Sequence, residues 1–187
     1  ALHALAIDER LPVAHYALGH ALVQYDRDWA GAELACRRAL ELDPNCTNAH
    51  HRYAILLMTS GRPDEAFAQI RRARELDPTS LPIDATEGFL YYWDRQYVRA
   101  IAHLRGTLER EPHFWMAHYW LAQVLGSHGE HAAAATSAQR ANELVGNDGA
   151  SWLIAWTHAV AGRRDEAMAQ RDALLERSRH HYVPPYD

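Results

Sequence analysis

Thirteen histidines, two cysteines and the carboxylates Asp84 and Glu87 are the residues with which this 187-residue chain could do chemistry. The histidines fail a metal test on spacing. No His-x-x-x-His and no His-Glu-x-x-His occurs, so no helix presents two imidazoles to one ion. His128 and His131 straddle Gly129, and the adjacent pairs His50-His51 and His180-His181 point to different helix faces, although the second pair could hold nickel or zinc adventitiously. Cys36 and Cys46 are too few for a four-cysteine zinc site or a disulfide framework. Cys36 falls on an apolar stripe and reads as an inert core thiol; Cys46, in a loop after Pro44, reads as a surface thiol. Asp84 and Glu87, three apart on one helix, have the spacing of an acid/base pair. They are expected instead to pair with arginines such as Arg52, Arg71 or Arg72. All 19 basic residues are arginine, which excludes Schiff-base, phosphate-loop and kinase-type lysines. No nucleophile elbow and no glycine-rich phosphate loop occurs. The expectation is a chain that is not an enzyme, with no catalytic residue, no cofactor and no metal site.

The composition points the same way. Apolar residues make up 48% and charged residues 23%, a globular balance. The net charge of −5 argues against direct nucleic-acid binding, which needs a basic face. No window approaches 18 apolar residues and no signal peptide is visible, so neither a membrane span nor export is expected, and a cytoplasmic location is the default. With a stretch Ala4–Asp8 that looks like the end of a preceding second helix whose partner is missing, the chain reads as starting inside an array.

The elements that must position these residues follow from a repeat. Ala32, Ala66, Ala100, Ala134 and Ala167 are spaced by 34, 34, 34 and 33 residues, and Pro44, Pro78 and Pro112 by 34 and 34. Each period reads as two helices. Ala49, Tyr53, Ala54, Leu57 and Met58 form the stripe of a first helix, which Ser60-Gly61-Arg62 ends. Pro63-Asp64-Glu65 opens the second, whose stripe is Ala66, Ile70, Ala73 and Leu76, and Pro78 stops it. Small residues recur where helices must approach closely: Gly19, Ala54, Gly88, Ala122 and Ala155 in first helices, and the repeating alanines in second helices. His15, His50 and His118 recur at one place in successive first helices, which suggests packing beside the neighbouring repeat.

This pattern resembles the tetratricopeptide repeat family. His15-Tyr16-Ala17-Leu18-Gly19, His118-Tyr119-Trp120-Leu121-Ala122 and Ala39-Leu40-Glu41-Leu42-Asp43-Pro44 match its helix signatures. The resemblance implies one array over 1–187, with repeats at about 12–46, 47–80, 81–114, 115–147 and 148–181 after the end of a preceding repeat at 1–11. It implies an all-α, right-handed superhelical solenoid of stacked antiparallel helix pairs. The first repeat carries an extra residue, placed around Asp26-Arg27-Asp28; the fourth is one short near Gly146; and Glu87 stands where the family has leucine. Tyr25–Ala32 and Ala161–Ala167 are similar to the C-terminal arrays of bacterial transcriptional regulators, adenylate cyclases and Ser/Thr kinases.

In such arrays the first helices line a concave wall that binds a protein or peptide ligand. Helical phase puts Tyr16, His20, Val23 and Gln24 on that wall from the first repeat, and Asn48, His51, Ile55, Met58 and Thr59 from the second. The third supplies Ala85, Phe89, Tyr92 and Trp93; the fourth Met116, Tyr119 and Gln123; the fifth Trp152, Trp156 and Val160. The wall is rich in rings and poor in charge, which suits a peptide with apolar anchors. The cationic carboxylate clamp of some family members is disfavoured, because Tyr16, His20, His51, Ile55, Ala85 and Phe89 fill its places. Alternatives stay open: the rings pack between repeats, the tail Tyr182–Tyr186 fills the groove, the wall closes on a small molecule, the array ends mediate self-association into a homo-oligomer, or, as the weakest option, the chain is an enzyme.

Overall fold

The structure, a computed structural model, describes residues 1–146 and 149–179. Among these residues every regular element is a helix. They are α1 (Leu2–Ile7), α2 (Pro12–Ala21), α3 (Trp29–Leu42), α4 (Thr47–Thr59), α5 (Pro63–Leu76), α6 (Leu81–Trp93), α7 (Tyr97–Arg110), α8 (Trp115–His128), α9 (His131–Val145), α10 (Ser151–Val160) and α11 (Arg164–Ser178). The chain divides into two compact units, 1–94 and 95–187. The fold is the all-α stack of antiparallel helix pairs that the period implies: in the N-terminal unit α2 packs on α3 and α4 on α5, with α6 against both α4 and α5. In the C-terminal unit α8 packs on α9 and α10 on α11, with α7 against α8 and α10 against both α8 and α9.

Local chemistry accounts for the ends of these helices. Pro12 and Pro63 stand in first turns, where the missing N–H leaves no intrahelical bond unmade. Asp28 caps α3 by accepting the Gly31 N–H at 2.9 Å. Gly61, Gly129 and Gly162 end α4, α8 and α10 in the left-handed conformation that an L side chain resists. After each of them an amide bonds back five residues: Arg62 to the Leu57 carbonyl, Glu130 to Leu125 and Arg163 to His158, each at 2.9 Å. In the first repeat the matching bond runs from Asp28 to Leu22, six residues back at 3.0 Å. The extra residue expected in the turn around Asp26-Arg27-Asp28 is therefore taken up inside the helix, as a π-turn over Leu22–Asp26. Arg27 and Arg95, with φ of 55° and 60°, take the left-handed conformation without being glycine.

The links between helix pairs are fixed by two recurring side chains. Asp8, Asp43, Asp77 and Glu111 each accept an N–H two residues on, from Arg10, Asn45, Thr79 and His113. The recurring histidines then hydrogen-bond a carbonyl six residues back: His15 Nε2 to Glu9 at 2.8 Å, His50 to Pro44 at 2.9 Å and His118 to Pro112 at 3.0 Å. Their role is structural, as their recurrence suggested, but it is exerted on the preceding link of the chain. His50 also meets the Gln69 Oε1 at 2.6 Å.

Each unit has its own core. In the N-terminal unit Leu57, Ile70 and Leu90 are fully buried among Ala32, Ala54, Ala66 and Ala73. In the C-terminal unit Leu104, Leu125 and Leu153 are fully buried, with Ala122 and Ala138 against Leu153. Each such leucine contributes roughly 1.5–3 kcal/mol of transfer free energy. The last pair is looser: α11 buries Leu174 and leaves Leu175 exposed.

Candidate functional site

In the N-terminal unit the face of the first helices is made by α2, α4 and α6. Tyr16 and Ile55 are half-buried there, and His20 and Gln24 are exposed. His51 is half-buried and shares a 2.8 Å hydrogen bond between its Nε2 and the Thr86 Oγ1 of α6. Burial, reinforced by the adjacent Arg52 charge, pushes its imidazole down to about 4, so the ring is neutral at pH 7. Phe89, expected on an open wall, is only 8% exposed, with its ring 5.6 Å from Tyr92 and 4.7 Å from Trp93. Met58 and Ala85, placed on the wall by phase, are also buried. Met58 belongs to the N-terminal core, and Phe89 is packed against two rings of its own helix. Trp93 keeps 39% of its surface exposed at the end of α6.

The carboxylates of Glu33, Glu65 and Glu87 in this unit are held by arginines. Glu33 Oε1 accepts from Arg62 at 2.6 Å, Arg37 at 2.7 Å and the Tyr53 hydroxyl at 2.9 Å. The hydrogen bond from Arg62 holds the Glu33 carboxyl below the usual carboxylate range, against the opposing pull of burial. Arg62 also clasps Glu65 through two 2.6 Å bonds. Glu87, buried at 3% exposure, accepts from Arg74 at 2.6 Å and, more weakly, from the Tyr91 hydroxyl. An arginine does neutralise this carboxylate, but it is Arg74, outside the expected set of Arg52, Arg71 and Arg72. Arg74 lies two residues before the end of α5, where its side chain meets the middle of α6. Burial pushes the Cys36 thiol up to about 11, which removes it as a nucleophile at neutral pH.

In the C-terminal unit the face is a run of rings on α8 and α10. Tyr119 stands edge-on to Trp120 at 4.6 Å, Trp152 at 5.8 Å and Trp115 at 6.1 Å. Two turns further along α8, the indole of Trp156 lies so close over Gly126 that a Cβ there would come within 2.7 Å of two ring carbons. Gln123 falls between these two contacts, one turn after Tyr119, and its Nε2 is shielded from solvent with no hydrogen-bond partner among the described residues. Of the expected wall residues, Tyr119, Gln123, Trp152 and Trp156 thus share one α8–α10 seam. Trp115 and Gly126 belong to it and were not anticipated. A glycine in the last turns of α8, facing a tryptophan of the next first helix, was the signal available for Gly126.

Among the described residues no group of three or more His, Cys, Asp or Glu is placed to hold a metal ion. None of the described helices is long and apolar enough to cross a membrane. The pair His180-His181 and the tail Tyr182–Tyr186 lie outside the described residues.

Two models of the tetratricopeptide repeat match residues 25–83 and 90–149, together more than half of the chain. The chain belongs to the tetratricopeptide repeat family. Similar solved structures carry the same fold at low identity. TTC0263, a thermophilic TPR protein of Thermus thermophilus, is 22% identical with a TM-score of 0.79 over 90% of this chain and 92% of its own. PilW, a type IV pilus biogenesis factor, is 21% identical with a TM-score of 0.74 over 96% and 83%. YrrB, described as a TPR protein with an unusual peptide-binding site, is 16% identical with a TM-score of 0.54 over 96% and 93%.

Proposed function

We propose that this chain is a non-catalytic scaffold that binds a protein or peptide segment on the faces of its first helices. The ring seam of α8 and α10 carries the reading. Tyr119, Trp152 and Trp156 form a half-buried aromatic surface without a formal charge, and large rings with few torsions are what peptide grooves use as anchors. In the N-terminal unit the solvent-exposed part of Trp93, at the end of α6, offers the same chemistry. The fold supports the reading, as does the peptide-binding site described for YrrB. The sequence likeness at Tyr25–Ala32 and Ala161–Ala167 favours a cytoplasmic interaction or sensing module of a larger bacterial regulatory protein.

The test is binding of an array of synthetic peptides to the wild type and to Trp93→Ala and Trp152→Ala, with helicity checked by circular dichroism. Truncating an anchor is expected to weaken binding by roughly 2 kcal/mol, about thirtyfold. Unchanged affinity in both folded variants would remove the first-helix faces from the function.

A further inference from the structure

We propose that Gln123 sets the ligand class of the C-terminal unit, its side-chain amide donating to an uncharged carbonyl of an extended peptide laid along the α8–α10 seam. This rests on the groove reading above and adds to it the chemistry of what is bound. Contacts on either side place Gln123 over the seam: Tyr119 touches Trp152 one turn before it, and Trp156 covers Gly126 almost one turn after it. Its Nε2 carries two N–H donors and meets no acceptor among the described residues. A shielded donor left unpaired is costly to the folded state, and a ligand that supplies the acceptor recovers that cost.

The donor inventory then chooses among ligands. The wall residues Met116, Tyr119, Gln123, Trp152 and Trp156 carry no formal charge. At Nε2 itself an ammonium or guanidinium would bring donors to a donor. A carboxylate has about four acceptor sites and a charge to strip of water, which one neutral amide does not compensate. A backbone or amide carbonyl asks for one donor and carries no charge. Because Nε2 is shielded before binding, the carbonyl reaches it as a side chain of the wall swings aside, so the bond forms only in the complex.

The experiment uses three short peptides, acetylated and amidated at their ends, and follows binding by fluorescence anisotropy. One is built from leucine, proline and glutamine; the others carry aspartates or arginines at the same places. The wild type is expected to bind the uncharged peptide more tightly than either charged one. Gln123→Met, similar in length but without a donor, is expected to weaken that binding about five- to tenfold, the worth of one neutral hydrogen bond. Its thermal midpoint should stay level or rise, since an unpaired buried donor has gone. Equal binding of the uncharged peptide by Gln123→Met, or tighter binding of a charged peptide by the wild type, overturns the proposal. If Trp152→Ala still costs affinity in that event, the groove stands and only the role of Gln123 is lost. Unchanged binding by Trp152→Ala removes the groove itself, and failure of all three peptides to bind the wild type overturns both.

Discussion

In the N-terminal unit groups of the first-helix face pair with one another: His51 is bonded to Thr86, and Phe89 is packed against Tyr92 and Trp93. At corresponding places in the C-terminal unit stand Tyr119, Gln123, Trp152 and Trp156, where rings meet edge-on and an amide donor is left over. Charge divides the same way. The N-terminal unit has nine arginines against fourteen carboxylates, and so all of the net charge; the C-terminal unit has ten of each. The same helix position can thus carry a side chain that is bonded within its unit or one that keeps bonding capacity to spare. Stability should respond most to changes in the first unit, and recognition to changes in the second.

Four perturbations sharpen or break that contrast. The largest effect on folding is expected from Leu57→Ala. It opens a cavity among Ala54, Ala66 and Ile70 and should cost about 3 kcal/mol in urea unfolding. Hydrogen exchange should show protection falling first in α4 and α5. Next is acid. His51 is held neutral down to about pH 4, whereas the unfolded chain takes up the proton near the ordinary histidine value of 6.5. Because the unfolded state binds more protons in that window, its contribution is complete above pH 6.5 and is lost as pH falls towards 4, by at most about 3 kcal/mol. His51→Leu should flatten the dependence between those limits; an unaltered titration of stability would show that His51 does not carry it. Glu33, with its carboxyl lowered by Arg62, contributes in the same direction at lower pH still.

The third perturbation should change sign with the residue chosen. Arg74→Ala leaves the Glu87 carboxylate buried without its cation and is expected to cost about 1–2 kcal/mol, since the half-exposed arginine screens the pair. Glu87→Leu, restoring the residue the family uses, should be neutral or stabilising. A large loss with both would mean that the carboxylate does more than accept from Arg74 and Tyr91. The smallest effect is shared by the units: Arg27→Gly and Arg95→Gly relieve left-handed backbone and should each stabilise by about 0.5–1 kcal/mol in thermal melts.

The helices and their pairing are readable in the residues because one physical demand recurs at a fixed distance: a small side chain at Ala32, Ala66, Ala100 and Ala134 lets two helices touch, and all four are fully buried. The buried stripes through Leu57 and Ile70 follow from the same periodicity. The site is only partly readable. Phase puts Phe89 and Trp156 on the same face, but what each ring meets there depends on side-chain rotamers and on the neighbouring backbone: Tyr92 and Trp93 of its own helix in one case, the bare backbone of Gly126 on the preceding first helix in the other. The partner of Glu87 escapes the sequence for a similar reason. Several arginines lie within reach in the chain, and only the pitch of α5 against α6 selects Arg74. The histidine bonds to Glu9, Pro44 and Pro112 join residues six apart across a helix start, a relation that no single-helix periodicity contains.

The π-turn over Leu22–Asp26 has a consequence for how such arrays tolerate changes of length. A surplus residue that widens one helical turn leaves the Asp28 cap and the start of α3 intact, so the neighbours feel no frame shift. Helix ends of this kind act as expansion joints, and insertions or deletions there would reshape the rim of the molecule while its interior keeps step.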